Sequence, residues 1–326
     1  MAEICRSVYY QLDGLLAACR FKMMEMSRWL SKRAFTGTLA VSFAFASAGH
    51  GQARSYVPRI EALNLEVLQV GRVTAYFARD DSARAKQLAV LAESAAAFVQ
   101  RELGVSFDIR LAALAPKYWF SPYASDLPYG IPWGSVPERL IVAPSSLKEG
   151  ALISGRDSSF NTRLVDFVTL HEFGHIANKQ FFHPASTHEE FPITWFEELL
   201  ATYFAYAFMS NTDPGWTDLA RQFWRAEVTG YTPRVVSLDW SFMRSLPGPE
   251  LGRTYGWYQV VLNLRVADTY SEHGIAFLRQ LRTTLPLDSL DHWTTELLLA
   301  RLDALAPGFQ KWAAHLPGDV RKPENR

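Results

Sequence analysis

Five residues near the middle of the chain, His171-Glu172-Phe173-Gly174-His175, constrain it more than any other feature. An H-E-x-x-H string does its chemistry on a helix, where residues i and i+4 share a face and two imidazoles can reach one metal ion. The flanking residues supply that helix: Leu164, Val168, His171 and His175 step by four, three and four, the spacing of one helical stripe. A helix is therefore expected over residues 164–180, with this stripe facing inward. Glu172 sits one residue round from the histidines, placed to touch a water at the metal and not the metal itself.

Catalytic zinc takes three protein ligands and keeps one position open. The next helical run, residues 194–209, contains Trp195-Phe196-Glu197-Glu198-Leu199-Leu200-Ala201-Thr202-Tyr203. Two adjacent glutamates in so apolar a helix cost energy to bury unless something cationic neutralises one. Ala201 and Ala205 lie three and seven residues past Glu198, on its face, and are small enough to let this helix approach the H-E-x-x-H helix closely. Glu198 is the favoured third ligand and Glu197 the alternative. A solvated acidic pair at a helix start is the competing reading.

The donors available depend on where the mature chain begins. The 326 residues carry 33 basic and 33 acidic side chains and two cysteines, Cys5 and Cys19. That balance offers no global charge for holding nucleic acid, and two thiols are too few for a cysteine zinc ribbon. A hydrophobic share of 48% with 20% charged residues excludes a disordered chain. Residues 34–48 are apolar and small, follow Arg28, Lys32 and Arg33, and end in Ala46-Ser47-Ala48, with Ala53 as a second candidate cut. This is the order of a secretory signal, and its apolar run is shorter than the roughly 20 residues that span a bilayer. A buried helix or an uncleaved anchor is the competing reading. Residues 1–23 hold Glu3 and Asp13 and suit a signal's basic region poorly, which points to Met26 or Met24 as the working start. Leu16-Ala17-Ala18-Cys19 has the form of a lipoprotein box, but no sustained apolar run precedes it, so anchoring at Cys19 is not expected. Without residues 1–53 the chain loses six basic and three acidic side chains, leaving 27 against 30 and a net charge of −3. The expected product is exported, periplasmic or secreted, has no stable membrane span after cleavage, and contains no cysteine. Histidine and carboxylate then remain as the plausible zinc ligands.

The periodicity predicts an α+β chain in two lobes after the export segment 1–53. Residues 54–150 read as a small α/β lobe: a strand over 67–79, a helix over 83–103 behind Asp81-Ser82, a strand over 105–113 with Phe107, Ile109 and Leu111 on one face, and a strand over 138–143. Residues 115–137, with five prolines and Tyr118, Trp119, Phe120, Tyr123, Tyr129 and Trp133, read as a loop, either part of a binding surface or packed down by its own aromatics. Residues 151–320 read as a helical lobe, with helices over 164–180, 194–209, 213–229, 253–272, 275–284 and 291–305. Residues 321–326 form a polar tail.

Taken together, H-E-x-x-H and Trp195-x-x-Glu198 resemble the gluzincin zinc metallopeptidases, in particular the bacterial peptidase MA-like group. Those families place H-E-x-x-H on one helix and W-x-x-E-[GS]-x-A on the next, and Ala201 matches the alanine. The likeness covers about residues 160–280, and the preceding lobe is compatible with it. The resemblance implies a zincin-like fold with the zinc site on two adjacent helices. It implies His171, His175 and Glu198 as ligands of Zn2+, Glu172 as general base and acid, and a peptide or protein substrate. Two imidazoles and one carboxylate leave Zn2+ a net positive charge that lowers the pKa of a bound water toward ~7, and Glu172 would take the proton as that water attacks. Relatives add a downstream Tyr or His that donates to the tetrahedral oxyanion. In Arg253-Thr254-Tyr255-Gly256-Trp257-Tyr258-Gln259, Tyr255 is favoured and Tyr258 second, against the reading that either is an aromatic core residue. Leu199 stands where the family often has Gly, and Thr202 where some relatives carry an acidic group. No G-x-M-E-N string occurs, which argues against N-terminal trimming. His183 lies eight beyond His175, whereas metzincins need six and a Gly turn, so His183 and His188 read as loop histidines. The rivals to an enzyme are a non-catalytic zinc-stabilised binding module of the cell envelope and an interaction protein whose motif is accidental.

Overall fold

A computed structural model of the chain describes residues 55–119, 129–146, 158–182, 193–231, 233, 236–238, 246, 248–285 and 293–317. The segment 1–53 expected to direct export, with Cys5, Cys19, Met24 and Met26, lies outside the described residues. So do Phe120, Tyr123, His183, His188, His292 and the tail 321–326.

The architecture is α+β, with one five-stranded sheet followed by a run of helices. The sheet is built from β1 (Glu66–Val70), β2 (Val73–Phe77), β3 (Ile109–Leu114), β4 (Trp133–Ser135) and β5 (Leu140–Pro144), in the order β1-β2-β3-β5-β4. The three inner strands β2, β3 and β5 run parallel, and the edges β1 and β4 are antiparallel to their neighbours. Central parallel strands are covered on both faces and read as continuous apolar runs, as in Leu140-Ile141-Val142-Ala143-Pro144, all buried.

Side chains alternate between two packing layers. Val73, Ala75, Phe77, Ile109, Leu111, Ala113, Ile141 and Ala143 face the main core with α2 (Ser82–Leu103) and α4 (Ser158–Phe182). Tyr76, Ala112, Leu114, Leu140 and Val142 face a smaller core under α1 (Val57–Glu61) and α3 (Pro116–Trp119). The main core continues without a break through the helices to Leu316.

Two expectations need correction here. The single strand over 67–79 is a hairpin, because Gly71 takes a positive φ of 55° and turns the chain between β1 and β2. The turn is held by the Arg72 amide, which donates to Glu93 Oε2 at 2.8 Å. The expected loop over 115–137 contains the short helix α3 and the edge strand β4 within its described part. The pattern missed β4 because Trp133-Gly134-Ser135 is only three residues long and carries no alternation.

The remaining helices are α5 (Thr194–Thr212), α6 (Pro214–Gly230), α7 (Gly248–His273), α8 (Ala276–Thr284), α9 (Thr295–Leu305) and α10 (Phe309–Ala314). Among the described residues no helix is long and apolar enough to cross a membrane. Helix α5 is the axis of this part: all residues from Trp195 to Met209 are buried, which only a helix surrounded by others sustains. It packs against α4 on one side and α7 on another. At the α4–α5 crossing stands Gly174, where a Cβ would meet the backbone of Ala201 at 2.5–2.9 Å. The glycine inside H-E-F-G-H is thus what lets the two helices touch.

Candidate metal centre

Helix α4 brings His171 and His175 together one turn apart, with their Nε2 atoms 3.2 Å from each other. The stripe they occupy is the less buried one: Leu164, Val168 and His175 are half-buried, whereas Val165, Phe173, Ile176 and Ala177 fill the core. The histidine end of the stripe faces inward, toward α5, with the His171 and His175 side chains 11% and 14% exposed, while Leu164 and Val168 are half-buried. The motif lies at the border of the core, where its donors stay reachable. His171 is the more enclosed of the pair.

Helix α5 supplies the facing carboxylates. Glu198 Oε2 lies 3.2 Å from His171 Nε2, and Glu198 Oε1 lies 3.9 Å from His175 Nε2. Glu197 points to the other side of His175, with Oε1 3.1 Å from Nδ1. Both glutamates are only 8% exposed, which removes the solvated acidic pair from consideration. It also separates their roles, since Glu197 stands behind an imidazole while Glu198 faces the Nε2 edges of both. Thr202, one turn past Glu198, places Oγ1 3.2 Å from His171 Nδ1. Each Nδ1 thus has a partner that orients its ring, the arrangement that metal-ligating histidines require.

The donor set fits a metal. Tetrahedral zinc with bonds of about 2.0–2.1 Å needs ligand atoms about 3.3 Å apart. His171 Nε2, His175 Nε2 and Glu198 Oε2 offer separations of 3.2 Å between the nitrogens and 3.2 Å from His171 to the oxygen. His171, Glu172 and His175 also form a group whose donor atoms all lie within 4.8 Å of one another.

Electrostatics show how much charge is concentrated here. Burial alone would lower the pKa of His175, yet its hydrogen bond to Glu197 and the charges of Glu197, Glu198 and Glu172 raise it to about 10. Burial works against ionising Glu198, but hydrogen bonding and charge from His171, with His175 and Gln259 behind them, hold its carboxyl at about 2. Glu172 moves the opposite way: burial raises it above the ordinary carboxylate value, against the lowering influence of His175 and His171. Glu172 lies against the edge strand, for a Cβ on Gly134 would come within 3.2 Å of its Oε2.

Helix α7 closes the centre. Tyr255 is buried, with its hydroxyl 3.4 Å from Glu198 Oε2. Burial and the charge of Glu198 raise its pKa well above the ordinary phenol value, so it keeps its proton. Tyr258 is also buried and raised by the same two causes. His273 sits elsewhere, 3.6 Å from Glu272 at the end of α7. Gln259 was not singled out from the sequence. Its Nε2 lies 2.7 Å from Glu198 Oε2 and 2.6 Å from the Tyr255 hydroxyl. The signal that could have found it is its place four residues after Tyr255, on the same face of the helix.

No protein-family model matches the chain, and no curated protein sequence matches it.

Proposed function

We propose that the chain is a zinc-dependent metallopeptidase of zincin-like architecture, similar to the gluzincins, acting on peptide or protein substrates. The observation that carries this reading is that His171 Nε2 lies 3.2 Å from both His175 Nε2 and Glu198 Oε2, with Glu198 Oε1 3.9 Å from His175 Nε2 and Glu172 beside the histidines. His171, His175 and Glu198 would hold Zn2+, and Thr202 and Glu197 would orient the two imidazoles. Zinc, when bound, supplies Lewis acidity, acidifying water and polarising a carbonyl.

The protein's own groups do the rest. Glu172 accepts the proton of the attacking water and delivers it to the leaving amine. Its raised pKa suits a carboxyl that must both take and return a proton. Tyr255, kept protonated, donates to the oxyanion that forms at the scissile carbonyl. Strand β4, against Glu172, borders the place where the substrate would lie. A purely structural zinc site has four protein ligands and no use for such a base, which favours the enzyme over a zinc-stabilised binding module. The signal-like segment 34–48 supports export to the periplasm or the medium.

The test is zinc content together with cleavage of a mixed peptide library by wild type and Glu172→Gln. The expected result is stoichiometric zinc in both and hydrolysis by the wild type alone. A Gln variant that cleaves as fast as wild type would remove Glu172 from the chemistry, and a wild type without zinc would reject the metal centre.

A further inference from the structure

Gln259 holds the two groups that α5 and α7 contribute to the centre. It lies one turn past Tyr255, and its Nε2 contacts Glu198 Oε2 at 2.7 Å and the Tyr255 hydroxyl at 2.6 Å. The amide turns its NH2 toward the Glu198 carboxylate, which accepts from Nε2. An NH2 has two hydrogens. One goes to the carboxylate and the other to the phenol oxygen, which therefore accepts from Gln259. The phenol in turn donates to Glu198 Oε2 across a long contact of 3.4 Å.

Two consequences follow. The terminal torsion of a glutamate is soft, so a carboxylate with no lateral partner sweeps through many orientations. Gln259 pins Oε2, the same oxygen that lies 3.2 Å from His171 Nε2. The second consequence concerns Tyr255, whose donor direction is fixed by the lone pair that Gln259 occupies.

We infer that Gln259 is a positioning residue of the metal centre, orienting the Glu198 carboxylate for metal capture and fixing the direction in which the Tyr255 hydroxyl donates. The inference rests on the zinc-peptidase reading above, since it assigns Gln259 a task only if Glu198 is a ligand.

The experiment uses the full mature chain as wild type, Gln259→Met and Gln259→Glu. Met keeps the length without donors, and Glu keeps the shape while replacing two donors by an acceptor. Three quantities are measured: zinc affinity against a chromophoric chelator, the absorption spectrum of the Co2+-loaded protein, and the melting temperature of the metal-free protein. The expected result is zinc binding about 10- to 100-fold weaker in both variants. A changed Co2+ spectrum should accompany it, with metal-free melting temperatures near that of the wild type. At saturating zinc, Gln259→Met should lower kcat in the wild-type background and add little to Tyr255→Phe, because it acts through the phenol. Wild-type zinc affinity in either folded variant overturns the inference while leaving the peptidase reading intact. Loss of folding in both variants also overturns it, since Gln259 would then be a packing residue. Failure of the wild type itself to bind zinc is a different outcome, and it rejects the reading on which the inference rests.

Discussion

Replacing Gly174 by alanine tests how closely α4 and α5 must approach for the centre to exist. In an ordinary helix interior the change is favourable by about 1 kcal/mol. Here a Cβ at residue 174 would stand 2.5 Å from the carbonyl oxygen of Ala201, 2.8 Å from its Cα and 2.9 Å from its carbonyl carbon. All three are backbone atoms, so no rotamer relieves the contact. An ordinary separation of 3.4 Å requires the helices to part by about 0.9 Å at this point, and overpacking of that kind costs about 1–3 kcal/mol. Set against the gain in helix propensity, the net loss is about 1 kcal/mol, or about 2–4 °C in melting temperature for a domain of this size.

The larger effect falls on the metal. Glu198 precedes Ala201 by three residues on the same helix face, so it moves away from the histidines with the backbone. Metal sites tolerate ligand displacements of about 0.2 Å, well below the parting required. Gly174→Ala should therefore weaken zinc binding by at least about tenfold, equal to ~1.4 kcal/mol, while the protein still folds. The assay is zinc competition with a chromophoric chelator beside a thermal melt of the metal-free protein. Adding Ala201→Gly should not rescue the variant, because the offending atoms belong to the backbone. Gly215→Ala, where a Cβ meets nothing within 4 Å, should leave zinc affinity untouched. A Gly174→Ala protein with wild-type zinc affinity and an unchanged or higher melting temperature would refute the close-approach reasoning.

Further outcomes are expected of the same protein. Glu197→Gln removes the charge behind His175 and should weaken zinc binding about tenfold or more, and an unchanged affinity would reject its orienting role. His175 carries a proton in the metal-free protein up to about pH 10, so zinc binding must expel it, and apparent affinity should rise about tenfold per pH unit between pH 7 and 9. Calorimetry in two buffers of different ionisation enthalpy reads that proton, and identical heats would contradict it. Tyr255→Phe should keep its zinc and lose about 10²–10³ in kcat, whereas full activity would move the oxyanion donor elsewhere. Burial opposes ionising Glu138, but hydrogen bonds from the Ser55 hydroxyl, the Val57 and Tyr56 amides and the Ser135 hydroxyl hold its carboxyl below the ordinary range. Its stabilisation is therefore complete above that range and fades as pH falls through its folded value. Glu138→Gln should cost about 1 kcal/mol at pH 7, and the difference should shrink in melts as pH falls below the ordinary carboxylate range.

The site was more legible than the sheet. Histidines four apart share one face of a helix, and two glutamates in an apolar helix demand a partner, so a cluster of His171, His175 and the Glu197–Glu198 pair could be expected from spacing and burial cost. The helices were likewise legible where their periodicity was long, and α4, α5 and α6 fall close to the expected ranges. What spacing could not supply was the division of labour between Glu197 and Glu198. Adjacent residues on a helix differ by 100° in direction, and only the position of the α4–α5 crossing decides which one faces the Nε2 edges. Gln259 was missed because an amide carries no signature of its own until its two neighbours are placed. Strand β4 was missed because three residues at a sheet edge give no periodic signal, although Gly134 is where that edge lies against Glu172.

The cost of burying these groups bears on why they are where they are. Helix α5 is enclosed over its whole middle, the most expensive place in the fold for a charge. A buried ion pair commonly contributes less than the apolar residues that could replace it, so stability alone does not account for two carboxylates there. Glu197 and Glu198 are tolerated because each meets an imidazole, and that pairing holds His175 protonated far above its ordinary range. A divalent cation at the Nε2 edges would take over that proton's neutralising role with more charge and a geometry that the 3.2 Å spacings already match. Glu172 stands apart from this compensation. Among the described residues no hydrogen bond from a ring nitrogen offsets its burial, which outweighs the lowering influence of His175 and His171. The same cluster thus holds the Glu198 carboxyl ionised and raises that of Glu172, the contrast that the proposed roles of ligand and base would need.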